Sequence, residues 1–310
     1  MNLMICPICG CERGRGFLCA PDRFHGRETA YQLVQCTSCS LVWLHNPPKP
    51  EEMPYHYGAD YHKAITNAGE TRIDSRWRYP RKRVLEMAQG GALLDIGCSS
   101  GGFLRTLRGA EWKLYGVEIS PEEARRAEAS SGAQVFVGGI LDAPFSESSF
   151  DVITGFHVLE HVFHPDDVIA KLWKWLKPGG ILYLHVPNIE ALEARIFRSY
   201  WYGLELPRHL YHFSPDSLSR LFAHFHFDEL LLGTLSHNHI EASTHYVLDS
   251  IRQKFGITPP PLAAVDRSPG IAWRIVRKLL RVGMLEPVSY LAAVVGRGAG
   301  IEAAYRKRVS

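Results

Sequence analysis

The chain has 310 residues, 46% hydrophobic and 22% charged, with a formal net charge of +3. That composition supports a packed core and excludes a wholly disordered chain, while so mild a charge gives no argument for nucleic acid. There is no run of 18 apolar residues to span a membrane, and Met1–Gly10 lacks the basic and long apolar regions of a secretory signal. A cytoplasmic location is therefore expected.

Residues 1–50 hold six of the seven cysteines, with β-prone runs at Tyr31–Gln35 and Leu41–Leu44, before Asn46-Pro47-Pro48-Lys49-Pro50 breaks regular structure. Arg72–Gln89 reads as a charged helix. The pattern then alternates: strands at Ala92–Ile96, Lys113–Glu118, Gln134–Val137, Asp151–Gly155 and Ile181–Val186. Helices fall between them at Gly101–Arg108, Pro121–Ser130 and Asp166–Leu176, the last stopped by Lys177-Pro178-Gly179-Gly180. Strands alternating with helices of this length predict βαβ units and a parallel sheet, an α/β fold. Beyond it come a helix at Ser214–His224, a strand at Phe227–Leu232, helices at Ile240–Phe255 and Ile271–Val295, and a last strand in Gly300–Tyr305.

Cys6-Pro7-Ile8-Cys9 and Cys36-Thr37-Ser38-Cys39 are two knuckles separated by 26 residues, room for a hairpin. In a chain without an export signal this pattern favours metal over disulfides. A Cys-x-x-Cys turn lets two sulfurs reach one ion, and four thiolates suit tetrahedral zinc. Cys6, Cys9, Cys36 and Cys39 are thus expected to hold a structural Zn2+ in a zinc ribbon, with Cys11 and Cys19 as ordinary residues.

Leu93-Leu94-Asp95-Ile96-Gly97-Cys98-Ser99-Ser100-Gly101-Gly102 reads as strand, tight turn and helix start, with amide N–H groups presented at a helix N-terminus. Glu118 ends the next strand, where a carboxylate can take both hydroxyls of a ribose. With Ser149-Phe150-Asp151-Val152-Ile153, His157-Val158-Leu159-Glu160-His161-Val162 and Leu176-Lys177-Pro178-Gly179-Gly180, these motifs make Leu93–Tyr211 resemble the class I S-adenosylmethionine-dependent methyltransferases. A nicotinamide-binding Rossmann domain wants a tighter G-x-G-x-x-G, which Gly97-x-Ser99-x-Gly101 fits poorly.

The resemblance implies a Rossmann-like seven-stranded sheet with helices on both faces and S-adenosyl-L-methionine as cofactor. Asp95, Gly97, Cys98 and Gly101 would hold its methionine end, Glu118 its ribose, and Ile119, Ile140, Leu141 and Phe156 would surround it. Gly138-Gly139 stands where the family often has an acid for the adenine amino group, which moves that role to Asp142. The implied division is a zinc ribbon at 1–50, a linker and lid helix at 51–90, the catalytic core at 91–235, a helical insertion at 236–297 and a closing strand and tail at 298–310.

Methyl transfer from a sulfonium is a direct displacement, so a base is needed where the nucleophile is a hydroxyl. His157 and His161, past the fourth strand, and His209, in Leu206-Pro207-Arg208-His209-Leu210-Tyr211-His212-Phe213-Ser214, are the candidates, with His209 favoured. Arg208 is expected to meet an anionic group of the acceptor, with Tyr211, Tyr57 and Tyr61 near it. The expected activity is methylation of a small molecule, at a hydroxyl of a sugar, glycan or natural-product intermediate. The alternatives are sugar C-methylation, RNA methylation with the ribbon gripping RNA, and a binding module without catalysis. The ribbon lacks a dense basic stretch, which weighs against RNA. The apolar stretch 271–295 carries Arg274, Arg277, Lys278 and Arg281, with Glu286 as its single acid. It reads as packed on the catalytic domain or on a second subunit, or as a peripheral membrane contact that meets a lipid-linked acceptor.

Overall fold

The computed structural model describes residues 5–57, 70–109, 111–237, 239–256 and 285–309. In chain order the strands are β1 (Gly14–Pro21), β2 (Ala30–Cys36), β3 (Val42–Leu44), β4 (Gly91–Ile96), β5 (Trp112–Glu118), β6 (Gln134–Val137), β7 (Phe150–Phe156), β8 (Leu176–Pro187), β9 (Tyr211–His212), β10 (Phe227–Leu235) and β11 (Gly300–Lys307). The helices are α1 (Met53–His56), α2 (Glu70–Met87), α3 (Gly102–Arg105), α4 (Pro121–Ser131), α5 (Pro165–Trp175), α6 (Leu192–Phe197), α7 (Pro215–Phe222), α8 (Ile240–Lys254) and α9 (Glu286–Val294). Most of the expected 271–295 helix, with its four basic residues, and Tyr61 of the expected lid lie outside the described residues. No helix of the described residues is long and apolar enough to cross a membrane.

Contacts gather into two units. One comprises Thr66–Val186, Leu221–Leu232 and Glu302–Ser310 and carries the larger sheet, in the order β10-β11-β8-β7-β4-β5-β6. β4 pairs in parallel with β5 on one side and β7 on the other. The strands form because Leu93, Leu94, Val152, Ile153 and Leu182 are buried at 0% exposure, as parallel strands covered on both faces require. Helix α4 is punctuated as its sequence dictates. Ser120 Oγ accepts from Glu123 N–H at 3.3 Å, proline opens the first turn, and Gly132 closes the helix at φ 75°. Helix α5 buries Val168, Ile169, Leu172 and Trp175. The helix ends at Trp175, just before the expected stop signal Lys177–Gly180, which lies inside β8. This stretch loops out of register, Phe150 facing Leu176 while Val152 faces Ile181.

The other unit comprises Met1–Ile65, Pro187–Arg220 and Gly233–Ile301. Its sheet runs β1-β2-β3-β9. Residues 1–50 are therefore not self-contained: Tyr211 and His212 pair with Trp43 and Val42 as a fourth strand. Within this unit Asn188 ties the segment after β8 to the residues before β11, its amide N–H on Ala299 O at 2.9 Å and its Nδ2 on Gly298 O at 2.8 Å.

A buried ion cluster holds the same unit. Asp22 and Arg208 are both 0% exposed, with Asp22 Oδ1 3.6 Å from Arg208 Nη1. Asp22 also faces His25 at 2.9 Å and Arg27 at 3.5 Å, and Arg208 Nε faces Glu205 at 3.5 Å. Removing one partner of such a pair strands the other's charge in a poorly solvated place. Asp22→Ala is expected to cost about 3–5 kcal/mol, read as a fall in the denaturation midpoint. An unchanged midpoint would make the cluster a solvated one.

Candidate active site

Because β5 lies to one side of β4 and the chain returns to β7 on the other, the strand order reverses at β4. Its carboxyl end is the crevice where open α/β sheets bind ligands. The turn there is built from left-handed backbone: Gly97 at φ 65°, Ser99 at 48° and Gly101 at 77°. An added Cβ would stand 2.6 Å from Val158 Cγ2 at Gly97 and 2.8 Å from Ala127 Cα at Gly101, so both positions need glycine. The Gly97 and Cys98 amides donate to Val117 O at 2.8 and 3.1 Å, tying the turn to β5. Cys98 is a core residue: its sulfur fills the space beside Gly116, and burial pushes its thiol above the ordinary range. Its expected part in the site is thus reduced to its backbone.

Glu118 is buried at the end of β5 and pins two loops, one carboxylate oxygen accepting Ser99 N–H at 2.9 Å and the other Ser120 N–H at 2.8 Å. Each oxygen keeps a further lone pair, so two hydroxyls can still be bound. Beside it, Ile119, Val137 and Leu141 expose apolar side chains at 75%, 47% and 40%, a ledge suited to a flat ring. Ile140 is half-buried, and the exposed Asp142 places Oδ2 2.7 Å from where a Gly139 Cβ would stand. Val137 escaped the sequence reading because an apolar residue at a strand end looks like any core position.

Asp95 is buried and accepts the Thr154 hydroxyl at 2.7 Å, with no cationic partner among the described residues. Burial, with Glu118 nearby, pushes its carboxyl up to about 7. A carboxyl raised from 3.8 binds more protons folded than unfolded between these values, so its burial destabilises progressively as pH rises from about 4 to about 7. The Tm of Asp95→Asn relative to the parent is expected to climb over that window and stay level above it. A pH-independent difference would contradict the assignment.

After β7, His157 adopts φ 60° and its Nδ1 lies 3.2 Å from Glu160 Oε1, within a single turn of helix that also holds His161. Phe156 packs on Phe103 and on Trp77 of α2, at ring distances of 4.8 and 5.0 Å.

In the other unit, His209 is buried, its Nδ1 3.0 Å from Gly203 O and its Nε2 3.7 Å from Glu205 Oε2. The expected base thus has a backbone carbonyl at one ring nitrogen and a carboxylate beyond the other. Arg208 was expected to meet an anion of the acceptor and is instead wholly enclosed by Asp22, Glu205, His25 and the Phe24 ring. Tyr211 is buried in β9 and stacked on Phe213, not presented to solvent. Tyr57 is half-buried against the Phe24–Tyr246 cluster.

The four knuckle cysteines bring their sulfurs within 4.8 Å of one another, Cys6 to Cys39 and Cys9 to Cys36 each at 3.6 Å. That spacing is far too long for disulfides and matches the edge of a tetrahedron with metal–sulfur bonds of about 2.3 Å. The amides of Ser38 and Cys39 point at Cys36 Sγ at 3.3 and 3.4 Å. Contact with Cys39 holds the Cys6 thiol down to about 5 against its burial, while the same contact pushes Cys39 up. The donor set fits a closed thiophilic metal site.

A seven-stranded sheet with a glycine turn at its switch point and an acid closing the next strand defines the Rossmann-like methyltransferase class of fold. The family model described as a methyltransferase domain matches residues 70–231, more than half of the chain, and the chain belongs to that family. Among curated proteins, it is 29% identical over 136 residues to 24-methylenesterol C-methyltransferase 2 of Oryza sativa subsp. japonica, covering 40% of this chain and 37% of that protein. It is 34% identical over 110 residues to the ubiquinone biosynthesis O-methyltransferase of Xanthomonas euvesicatoria, covering 34% and 46%. The match thus spans less than half the length of either relative. A SAM-dependent methyltransferase from Archaeoglobus fulgidus shares the fold at a TM-score of 0.52 and 16% identity, over 79% of this chain and 97% of that one.

Proposed function

We propose that this protein transfers the methyl group of S-adenosylmethionine to a hydroxyl of a small-molecule acceptor, a sugar, glycan or natural-product intermediate. The observation that supports the cofactor half of this reading is Glu118, fixed by the Ser99 and Ser120 amides at the mouth of the switch-point crevice. When bound, the cofactor would supply an electrophilic methyl on a sulfonium. Glu118 would take the ribose hydroxyls, and Ile119, Val137 and Leu141 would cover the adenine. Asp95, a buried acid lacking a cation of its own among the described residues, would face the positively charged methionine end. Cys6, Cys9, Cys36 and Cys39 would hold a zinc ion that folds the ribbon and leaves no open position for chemistry.

The test is transfer from methyl-labelled S-adenosylmethionine into a metabolite extract of the source organism, with product mass spectrometry. Label appearing on an O-methylated small molecule is expected; label confined to RNA, or to carbon, would overturn the acceptor assignment. With His209 as the base of this reading, His209→Ala should keep cofactor affinity and slow that transfer about 10²-fold or more. An unchanged rate would leave His209 a loop anchor on Gly203 O.

A further inference from the structure

We propose that the cavity between α6, α8 and α9 is a binding site for a small apolar amine, with Glu193 as the counter-ion to its ammonium group. The cavity lies wholly within the unit of Met1–Ile65, Pro187–Arg220 and Gly233–Ile301, and the proposal does not depend on the acceptor reading above.

The walls follow from helical spacing. Helix α6 places Leu192, Ile196 and Phe197 on the cavity, α8 opens with Ile240, and α9 adds Val288 and Ala292. Leu192 and Ile196, like Val288 and Ala292, are four residues apart, so each pair shares one face of its helix. The space they line is about 210 Å³. An apolar cavity of about 150 Å³ takes up benzene, so a single ring with a short arm fits here. Ile196 is 64% exposed and Val288 42%, so solvent reaches the cavity from their side.

One acid lines this apolar space. Glu193 is 5% exposed, its Oε2 accepting the His239 backbone N–H at 3.0 Å and its Oε1 the Ser289 hydroxyl at 3.1 Å. These bonds tie α6 to the start of α8 and to α9, so the carboxylate stands on fixed supports. Both donors are neutral, and no cation pairs with Glu193 among the described residues. Each oxygen keeps a lone pair beyond these bonds. Burial pushes the carboxyl up to about 7, against the pull of the two hydrogen bonds. Above that value it is ionised at a cost that a bound cation would relieve.

Arg297, which also lines the cavity, is already matched: its Nη1 lies 3.0 Å from Glu190 Oε2 and 3.4 Å from Glu190 O. The titratable and charged groups at the cavity are therefore Glu193, the Arg297–Glu190 pair and His239, which meets Glu193 through its backbone N–H. The charge left over is negative and selects a cation over an anion. The apolar walls select a hydrocarbon body over a polyol.

Methyl-labelled full-length protein titrated at pH 8 with benzylamine, benzyl alcohol and benzoate, three probes of one shape and different charge, tests the site. Benzylamine is expected to shift the Ile196 and Ile240 methyl resonances saturably and to bind at least about tenfold more tightly than benzyl alcohol, with benzoate inert. Glu193→Gln keeps the side chain's size and one acceptor oxygen. It should bring benzylamine down to the level of the alcohol and leave the alcohol unchanged. Methyls that no probe shifts would overturn the site. Equal affinity for amine and alcohol, or binding of benzoate, would overturn the assignment of its ligand, as would a preference for the amine that survives Glu193→Gln. Where that variant does not fold, the three probes on the parent decide.

Discussion

Stripping the metal from the four-cysteine cluster is expected to unfold the sheet β1-β2-β3-β9, with purified protein carrying one zinc per chain. The cluster closes the ends of β1 and β2: Cys36 ends β2, and the Cys6 amide donates to Cys11 O in the first knuckle. Four thiols within 4.8 Å repel one another once deprotonated, and a cation is what makes that proximity favourable. Structural zinc contributes about 10–16 kcal/mol of apparent binding free energy in small zinc modules, far above the margin of a typical domain. Chelation, or Cys39→Ser, should therefore abolish near-UV circular dichroism from Trp43. Through β9 it should also loosen the Pro207–Ser214 loop, so the loss extends beyond the ribbon. Elemental analysis of protein purified without added metal provides the count. Less than about a tenth of an equivalent of zinc, with the ribbon still folded, would remove the metal from the account.

Glu118→Ala should weaken S-adenosylmethionine by about 1.5–3 kcal/mol, some 10- to 150-fold, because two charge-assisted hydrogen bonds to ribose disappear. The structure adds a second cause: without the carboxylate the Ser99 and Ser120 amides lose their acceptor, and the two loops that shape the crevice are no longer tied. Glu118→Gln keeps an acceptor oxygen and the side chain's shape, so it should fall between parent and alanine. Titration calorimetry separates the three proteins. An alanine variant that is folded and binds with the parent's affinity would show that the crevice at β4 is not where the cofactor sits.

What the sequence made legible was local. Strands β4, β5, β7 and β8 announce themselves because their apolar runs are mostly buried on both faces, whereas the edge strand β6 has no buried residue. The glycine turn and Glu118 share one βαβ unit, so their spacing alone brings them together. The cysteine pairs are legible for the same reason, each knuckle being a single turn.

What stayed hidden depends on partners distant along the chain. β1, Gly14–Pro21, has glycines and a proline in place of alternation and is a strand because β2 pairs with it. β9 has two residues and exists through its pairing with β3. Arg208 looked like an anion-binding residue because nothing near it in sequence discloses Asp22, the buried carboxylate it meets. Glu302 looked like one residue of a closing strand, yet it ends the chain of hydrogen bonds through Tyr183 and His185.

Hydrogen–deuterium exchange with and without S-adenosylmethionine tests the central claim most directly. Protection is expected at Gly97–Gly101, at Glu118–Ser120 and at 138–142, the three loops at the carboxyl ends of β4, β5 and β6. The ribbon strands β1 to β3 should stay unchanged. Saturating cofactor that protects none of these loops, or that protects the ribbon instead, would contradict the account.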